Sequence, residues 1–179
     1  MRTQSSSIPL LAYHRGRHGQ MPDGSLIAEN SLASFTRAIQ EGAQIIELDV
    51  ERGLAVCHGP EISPEAPHLS EVLDVVSGQC RLNIEIKSPL VTSDVCDLLE
   101  DALATNRWSP DHFILSSFDH GVLLQYRKRL PMVQIGALVD AVVLPEYIDL
   151  LALKGVNNIH THWHSALMDF ESGQEMIAA

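Results

Sequence analysis

Two short segments decide the predicted fold: residues 44–50, Gln-Ile-Ile-Glu-Leu-Asp-Val, and residues 82–87, Leu-Asn-Ile-Glu-Ile-Lys. Consecutive side chains of a β-strand point to opposite faces, so each segment has one apolar face and one polar face. In both segments, the polar side chains extend as far as the carboxyl end of the predicted strand. This shared pattern predicts two strands whose acidic side chains lie on the same face of a sheet.

Strands and helices are predicted to alternate along the rest of the chain, which is typical of a parallel α/β protein. We predict strands near residues 8–13, 44–50, 54–57, 82–87, 112–116, 133–138 and 156–161. Residues suited to a helix cap or first turn mark the predicted helix starts, which are Asn30 or Ser31, Ser70, Ser93, Asp119, Pro145 and Ser165. Glycines just past three of the helices mark their ends, namely Gly42, Gly78 and Gly155.

The predicted elements amount to six β/α units and one extra strand, whereas a closed TIM-type (β/α) barrel has eight units. We therefore expect an α/β fold of the TIM type, a (β/α) barrel that is truncated at the carboxyl end before its last strands. Residues 1–179 would form this single incomplete barrel domain. Unpaired strand edges favour pairing, so we expect a homo-oligomer formed through these edges.

Composition and charge exclude some kinds of partner. Hydrophobic residues make up 45% of the 179 residues and charged residues 20%, as in ordinary globular domains. The formal net charge of -11 would repel nucleic acid, so nucleic acid is not an expected partner. A small anionic substrate is compatible with this charge if a bound cation and a few basic side chains reverse the local sign.

The cysteines and the apolar segments indicate a cytoplasmic protein. Cys57, Cys80 and Cys96 cannot all pair within the chain, which favours a reducing compartment. We find no transmembrane segment, since no stretch approaches the ~20 apolar residues of a membrane span.

The carboxyl ends of the two opening strands predict a metal site. In a barrel, Glu47, Asp49 and Glu85 would converge at the active-site mouth. Carboxylates placed so close together repel each other unless a cation lies among them, and oxygen ligands suit Mg²⁺, Ca²⁺ or Mn²⁺. The alternative is that these polar faces belong to a half-exposed sheet and are simply solvated.

Two histidines are candidates for proton transfer. The first strand ends in His14, followed by Arg15 and Gly16, and His58 follows the short predicted strand at 54–57. Histidine suits general acid and base roles because its ordinary pKa lies near neutral pH. Taken singly, a histidine in such a position is more often an ordinary loop residue than a catalyst.

The order and spacing of these motifs resemble the glycerophosphodiester phosphodiesterase family over residues 12–58 and 68–88. The segments that carry the resemblance are His14-Arg15-Gly16, Glu29-Asn30-Ser31-Leu32-Ala33-Ser34-Phe35, residues 42–50, His58 and Asn83-Ile84-Glu85-Ile86-Lys87, and Ser116-Ser117-Phe118 fits the next strand end.

The resemblance implies a role for each matching residue. It implies that a divalent cation is held by Glu47, Asp49 and Glu85, that acid and base catalysis falls to His14 and His58, and that phosphate contacts come from Arg15 and Lys87. Glu29 and Asn30 match the family's Glu-Asn pair, from which we expect support for the His-Arg turn. The implied reaction is metal-dependent hydrolysis of a small glycerophosphodiester to an alcohol and glycerol phosphate.

Several departures from the family pattern leave the substrate open. Glu51-Arg52-Gly53 replaces the usual Thr-Lys-Asp-Gly-like turn, Gly59 follows His58 where the family has Asp, and residues 59–69 are shorter than the usual insertion. The short connection is similar to that of the spider-venom phospholipase D toxins. The alternative reaction is therefore cleavage of a lysophospholipid through a cyclic phosphate.

Three further alternatives remain open. His160, His162 and His164 share one face of an extended segment and could bind Zn²⁺ or Cu²⁺, although a position at the rim near substrate is favoured. An incomplete barrel could also be a non-catalytic fragment that acts in assembly, or a structural α/β domain whose charged strand faces have no function.

Overall fold

The computed structural model describes residues 10–161. Its strands are β1 (Ala12–His14), β2 (Gly19–Gln20), β3 (Leu26–Ile27), β4 (Ile45–Val50), β5 (Arg81–Ile86), β6 (Phe113–Ser117), β7 (Gln134–Val139) and β8 (Asn158–Thr161). Its α-helices are α1 (Leu32–Gln40), α2 (Leu69–Val76), α3 (Thr92–Leu103), α4 (His120–Arg129) and α5 (Pro145–Leu153).

Six of the strands form one parallel sheet in the order β1-β4-β5-β6-β7-β8, which is their order in the chain. A helix lies between each consecutive pair of these strands, as in consecutive units of a TIM-type barrel. Residues from β1, β4, β5, β6 and β8 line one concave pocket, so the sheet curls around this pocket. The predicted fold class, a TIM-type (β/α) barrel, is confirmed, and residues 10–161 supply six of its strands.

The apolar side of the sheet forms the core beneath the helices. Ile46, Leu48 and Ile84 are fully buried and belong to one cluster with Phe35 of α1 and Val72 of α2. Each such side chain contributes roughly 1.5–3 kcal/mol through removal of apolar surface from water. Because this face is packed against helices, the opposite side chains of β4 and β5 face the concave side. No helix within residues 10–161 is both long enough and apolar enough to cross a membrane.

The predicted strand at 54–57 is wrong. After β4 the chain turns tightly at Arg52–Leu54, where Gly53 and Leu54 both have positive φ angles, of 68° and 59°. The following residues form only two isolated antiparallel bridges, Val50 with Val56 and Ala55 with His68. The turn directs this segment back along the end of β4, so it does not enter the main sheet.

The other predicted boundaries of strands and helices differ from the observed ones by a few residues. The first strand begins at Ala12, and the short antiparallel pair of β2 and β3 was not predicted, because strands of two residues carry no detectable alternation. Ser70 and Ser93 lie in the first turns of α2 and α3, which begin one residue earlier. The predicted helix from Ser165 lies outside the described residues.

Candidate metal and phosphate site

Three carboxylates meet on the concave face, as the alternation in β4 and β5 predicts. Asp49 pairs with Glu85 in the parallel register of these strands, and Glu47 lies on the same face two residues before Asp49. One carboxylate oxygen from each of the three lies within 4.8 Å of the other two. Among residues 10–161 this is the one group of acidic, histidine or cysteine side chains with the spacing of a metal site.

The surroundings of Glu47 change its protonation. Burial, together with the smaller effect of the negative charge of Asp49, raises the pKa of Glu47 to about 7. The backbone N–H of Arg15, which donates to Glu47 Oε2 at 3.1 Å, opposes this shift. Near neutral pH, Glu47 is therefore partly protonated in the absence of a cation.

Asp49 provides the test of whether a cation fits. Its side chain is completely buried, and its Oδ1 atom accepts no hydrogen bond, so only the charge of the Lys87 ammonium, 3.0 Å away, offsets it among the described residues. A buried carboxylate oxygen without a hydrogen bond is costly unless a cation binds it. The neighbouring donors, from Glu47 and Glu85, are also carboxylate oxygens, the ligands that Mg²⁺ and Ca²⁺ prefer. The donor set therefore fits a hard divalent cation.

The other oxygen of Asp49 is held by Asn30. Asn30 Nδ2 donates to Asp49 Oδ2 at 2.8 Å, and the backbone N–H of Asp49 donates to Asn30 Oδ1 at 3.3 Å. Asn30 reaches this position in a left-handed conformation (φ 51°), immediately before Ser31 caps α1. The start of α1 thus fixes the orientation of the Asp49 carboxylate.

Arg15 links the same carboxylate to Glu29. Its Nε lies 3.0 Å from Asp49 Oδ2, and its Nη1 donates to Glu29 Oε1 at 2.9 Å. The backbone carbonyl of Arg15 accepts a hydrogen bond from Ser34 Oγ at 3.1 Å. A Cβ atom on the next residue, Gly16, would lie only 2.5 Å from that Oγ, which explains why glycine follows the His-Arg pair.

A second cation, Lys87, comes from the end of β5. Its Nζ lies 3.0 Å from Asp49 Oδ1 without hydrogen-bond geometry, and it also donates a short hydrogen bond to Glu85 Oε1. The predicted phosphate ligands Arg15 and Lys87 therefore both lie directly against the carboxylate cluster.

The two predicted catalytic histidines occupy different positions. His14 Nε2 lies 3.8 Å from Glu47 Oε2, and the His14 side chain is 69% exposed. Partial desolvation lowers the pKa of His14, and the adjacent charge of Arg15 lowers it further. His58 is exposed and lines a neighbouring pocket of about 300 Å³ together with Glu29 and Asn30. The structure therefore places His14 at the cluster and His58 in the pocket beside it.

Two polar residues on the concave face received no role in the sequence analysis. Asn83 lines the pocket that also contains His14 and Glu47, and Ser116 pairs with Glu85 in the sheet. Both are buried, and neither Asn83 Oδ1 nor Ser116 Oγ has a hydrogen-bond partner. The strand alternation contained the signal for both, because they share the polar face with Glu85.

The alternative metal site at the histidine-rich segment is only partly described. His160 lies in the concave pocket, with its ring against Gly136, and burial lowers its pKa. His162 and His164 lie outside the described residues.

Comparison with known proteins agrees with these observations. The sequence model of the glycerophosphoryl diester phosphodiesterase family matches residues 14–62. A glycerophosphodiester phosphodiesterase from Bacillus altitudinis is 25% identical over 182 residues, which cover 79% of this chain and 72% of that protein.

Solved structures show the same fold at lower identity. A structure from Galdieria sulphuraria has a TM-score of 0.75 at 17% identity, covering 94% of this chain and 82% of that one. A phosphodiesterase from Oleispira antarctica, solved with its product sn-glycerol-3-phosphate, has a TM-score of 0.71 at 21% identity, with 95% and 81% covered. These structures show the fold, and the two sequence matches confirm the chain's resemblance to the glycerophosphodiester phosphodiesterase family.

Proposed function

We propose that the protein is a phosphoric diester hydrolase that hydrolyses a small glycerophosphodiester to an alcohol and glycerol phosphate, with the help of a divalent cation. The observation that carries the proposal is the meeting of Glu47, Asp49 and Glu85 within 4.8 Å, with Arg15 and Lys87 against them. The name of the Bacillus relative and the product bound to the Oleispira enzyme support the substrate class.

The cation would be held by Glu47, Asp49 and Glu85 and would be Mg²⁺ or Ca²⁺, with Mn²⁺ as a further candidate. When bound, such a cation polarises a phosphoryl oxygen and offsets the charge that develops during phosphodiester cleavage. Asn30 keeps Asp49 oriented for this role through its two hydrogen bonds.

Arg15 and Lys87 would bind the phosphate. The chain has a formal net charge of -11, so an anionic substrate needs a local excess of positive charge. Both side chains are largely buried, which strengthens their interaction with a bound anion. Positioned cations of this kind act most strongly where negative charge grows in the transition state.

The histidines would transfer the protons. The lowered pKa of His14 keeps its imidazole neutral at neutral pH, so His14 can accept the proton of the attacking nucleophile. His58, which lines the neighbouring pocket together with Glu29 and Asn30, would donate a proton to the leaving alkoxide. A positioned acid or base of this kind contributes about 10²- to 10⁴-fold to the rate.

Two broader features complete the proposal. We assign residues 1–179 to one barrel domain that associates with a second copy through its strand edges. We place the protein in the cytoplasm, where Cys57, Cys80 and Cys96, none of which forms a disulfide, would stay reduced.

The test is hydrolysis of glycerophosphocholine by metal-stripped protein that is then titrated with Mg²⁺, Ca²⁺ or Mn²⁺. We expect turnover that returns with metal and falls at least about 100-fold in His14→Ala. His18→Ala, a matched change on the same loop, should retain turnover. Folded wild-type protein that shows no turnover with any of the three metals would overturn the proposal.

A further inference from the structure

The ammonium group of Lys87 lies among the same carboxylates that the proposed cation would use. Lys87 Nζ is 3.0 Å from Asp49 Oδ1 and is hydrogen-bonded to Glu85 Oε1, so it contacts two of the three acidic side chains. The side chain is only 20% exposed. Its position therefore belongs to the interior of the site.

Arg15 and Lys87 contact different oxygens of the Asp49 carboxylate. The Arg15 guanidinium lies against Asp49 Oδ2 and is anchored at its other end by Glu29. Asn30 also binds Oδ2, so both fixed partners leave Oδ1 to Lys87. Lys87 is the flexible member of the group, because its ammonium ends a four-carbon stem and forms no bidentate contact.

We infer that Lys87 is a resident counter-ion of the metal-free site, which a divalent cation must displace from Asp49 and Glu85. The inference rests on the proposed metal site. Mg²⁺ and Ca²⁺ bind carboxylate oxygens at about 2.0–2.6 Å, so a cation at these oxygens would lie within a few ångström of the Lys87 ammonium group and would repel it. Displacement swings the Lys87 ammonium away from the carboxylates, where it is free to bind the phosphate of the substrate.

This exchange makes Lys87 a positioning residue that lowers metal affinity in the absence of substrate. The apparent affinity of a ligand falls in proportion to the fraction of protein whose site is open to it. Removing the ammonium should therefore tighten metal binding, although the phosphate contact is lost with it.

Two measurements test the inference, and both use the full chain. The first is Mn²⁺ binding, followed by the electron paramagnetic resonance signal of free Mn²⁺, in the wild type, Lys87→Met and the matched variant Lys154→Met. We expect at least about fivefold tighter binding in Lys87→Met and no change in Lys154→Met. The second is trace acetylation of wild-type lysines, quantified by mass spectrometry with and without Mn²⁺.

The acetylation rate of Lys87 should rise at least about fivefold when Mn²⁺ is added. The rates of the exposed Lys128 and Lys154, which serve as internal references, should not change. This second measurement decides the question even if Lys87→Met does not fold. Equal Mn²⁺ affinity in the wild type and Lys87→Met, with unchanged Lys87 labelling, would overturn the counter-ion role and leave the proposed function intact. Absence of Mn²⁺ binding in the wild type and the variant would overturn both.

Discussion

Metal binding should release a proton from Glu47, and the size of the effect follows from the structure. Burial and the charge of Asp49 raise the pKa of Glu47 to about 7 in the metal-free protein. A cation binds the ionised carboxylate, so any proton on Glu47 must leave when the cation binds. The number released per cation should be about 0.9 at pH 6, about 0.5 at pH 7 and about 0.1 at pH 8.

The same equilibrium sets the pH dependence of metal affinity. Because only the ionised form binds, apparent affinity should fall about tenfold between pH 8 and pH 6. Isothermal titration calorimetry with Mn²⁺, repeated at each pH in two buffers of different ionisation enthalpy, measures both quantities. In Glu47→Gln the release should disappear, although binding will also weaken. Binding that releases no proton at pH 6 in the wild type would refute this explanation of the cluster.

Three substitutions test other parts of the site. In metal-free protein at pH 8, Glu47→Gln should raise the free energy of unfolding, measured in urea, by roughly 1–3 kcal/mol. The reason is that the raised pKa of Glu47 contributes stability that is fully present below the unfolded pKa of 4.5 and is lost as the pH rises through 7. An unchanged urea midpoint would argue against repulsion in the cluster. Asn30→Ala should cost about 2–4 kcal/mol and weaken Mn²⁺ binding, because it leaves buried Asp49 without two hydrogen bonds, whereas the exposed control Asn106→Ala should do neither. Gly16→Ala should lower thermal stability, at a cost of about 1–3 kcal/mol, because the φ angle of Gly16 is 78° and the new Cβ would meet Ser34. A variant as stable as the wild type would show that this turn can relax.

The carboxylate cluster could be predicted because two simple rules act together. Alternation along a strand places Glu47 and Asp49 on one face, and the parallel register of β4 and β5 sets Asp49 beside Glu85. The alternation follows from each strand alone, whereas the pairing follows from the parallel barrel that the alternating strands and helices predict. The same alternation placed Asn83 on this face without indicating that its oxygen would remain unpartnered.

Other features depended on contacts that no local pattern encodes. The strand predicted at 54–57 failed because Gly53 and Leu54 adopt positive φ angles, which redirect an otherwise strand-like segment. The ion pairs of Asp49 with Arg15 and Lys87 join residues far apart in the chain, and only the folded sheet sets which carboxylate oxygen each cation contacts. The sequence identified these groups but not their pairing.

The most direct test of the central claim is a crystal structure of the protein soaked in Mn²⁺, with anomalous differences collected near the manganese absorption edge. We expect a single strong peak between the carboxylates of Glu47, Asp49 and Glu85, with Lys87 Nζ moved away from Asp49. A well-ordered site without a peak at Mn²⁺ concentrations that support turnover, or a peak elsewhere in the barrel, would contradict it.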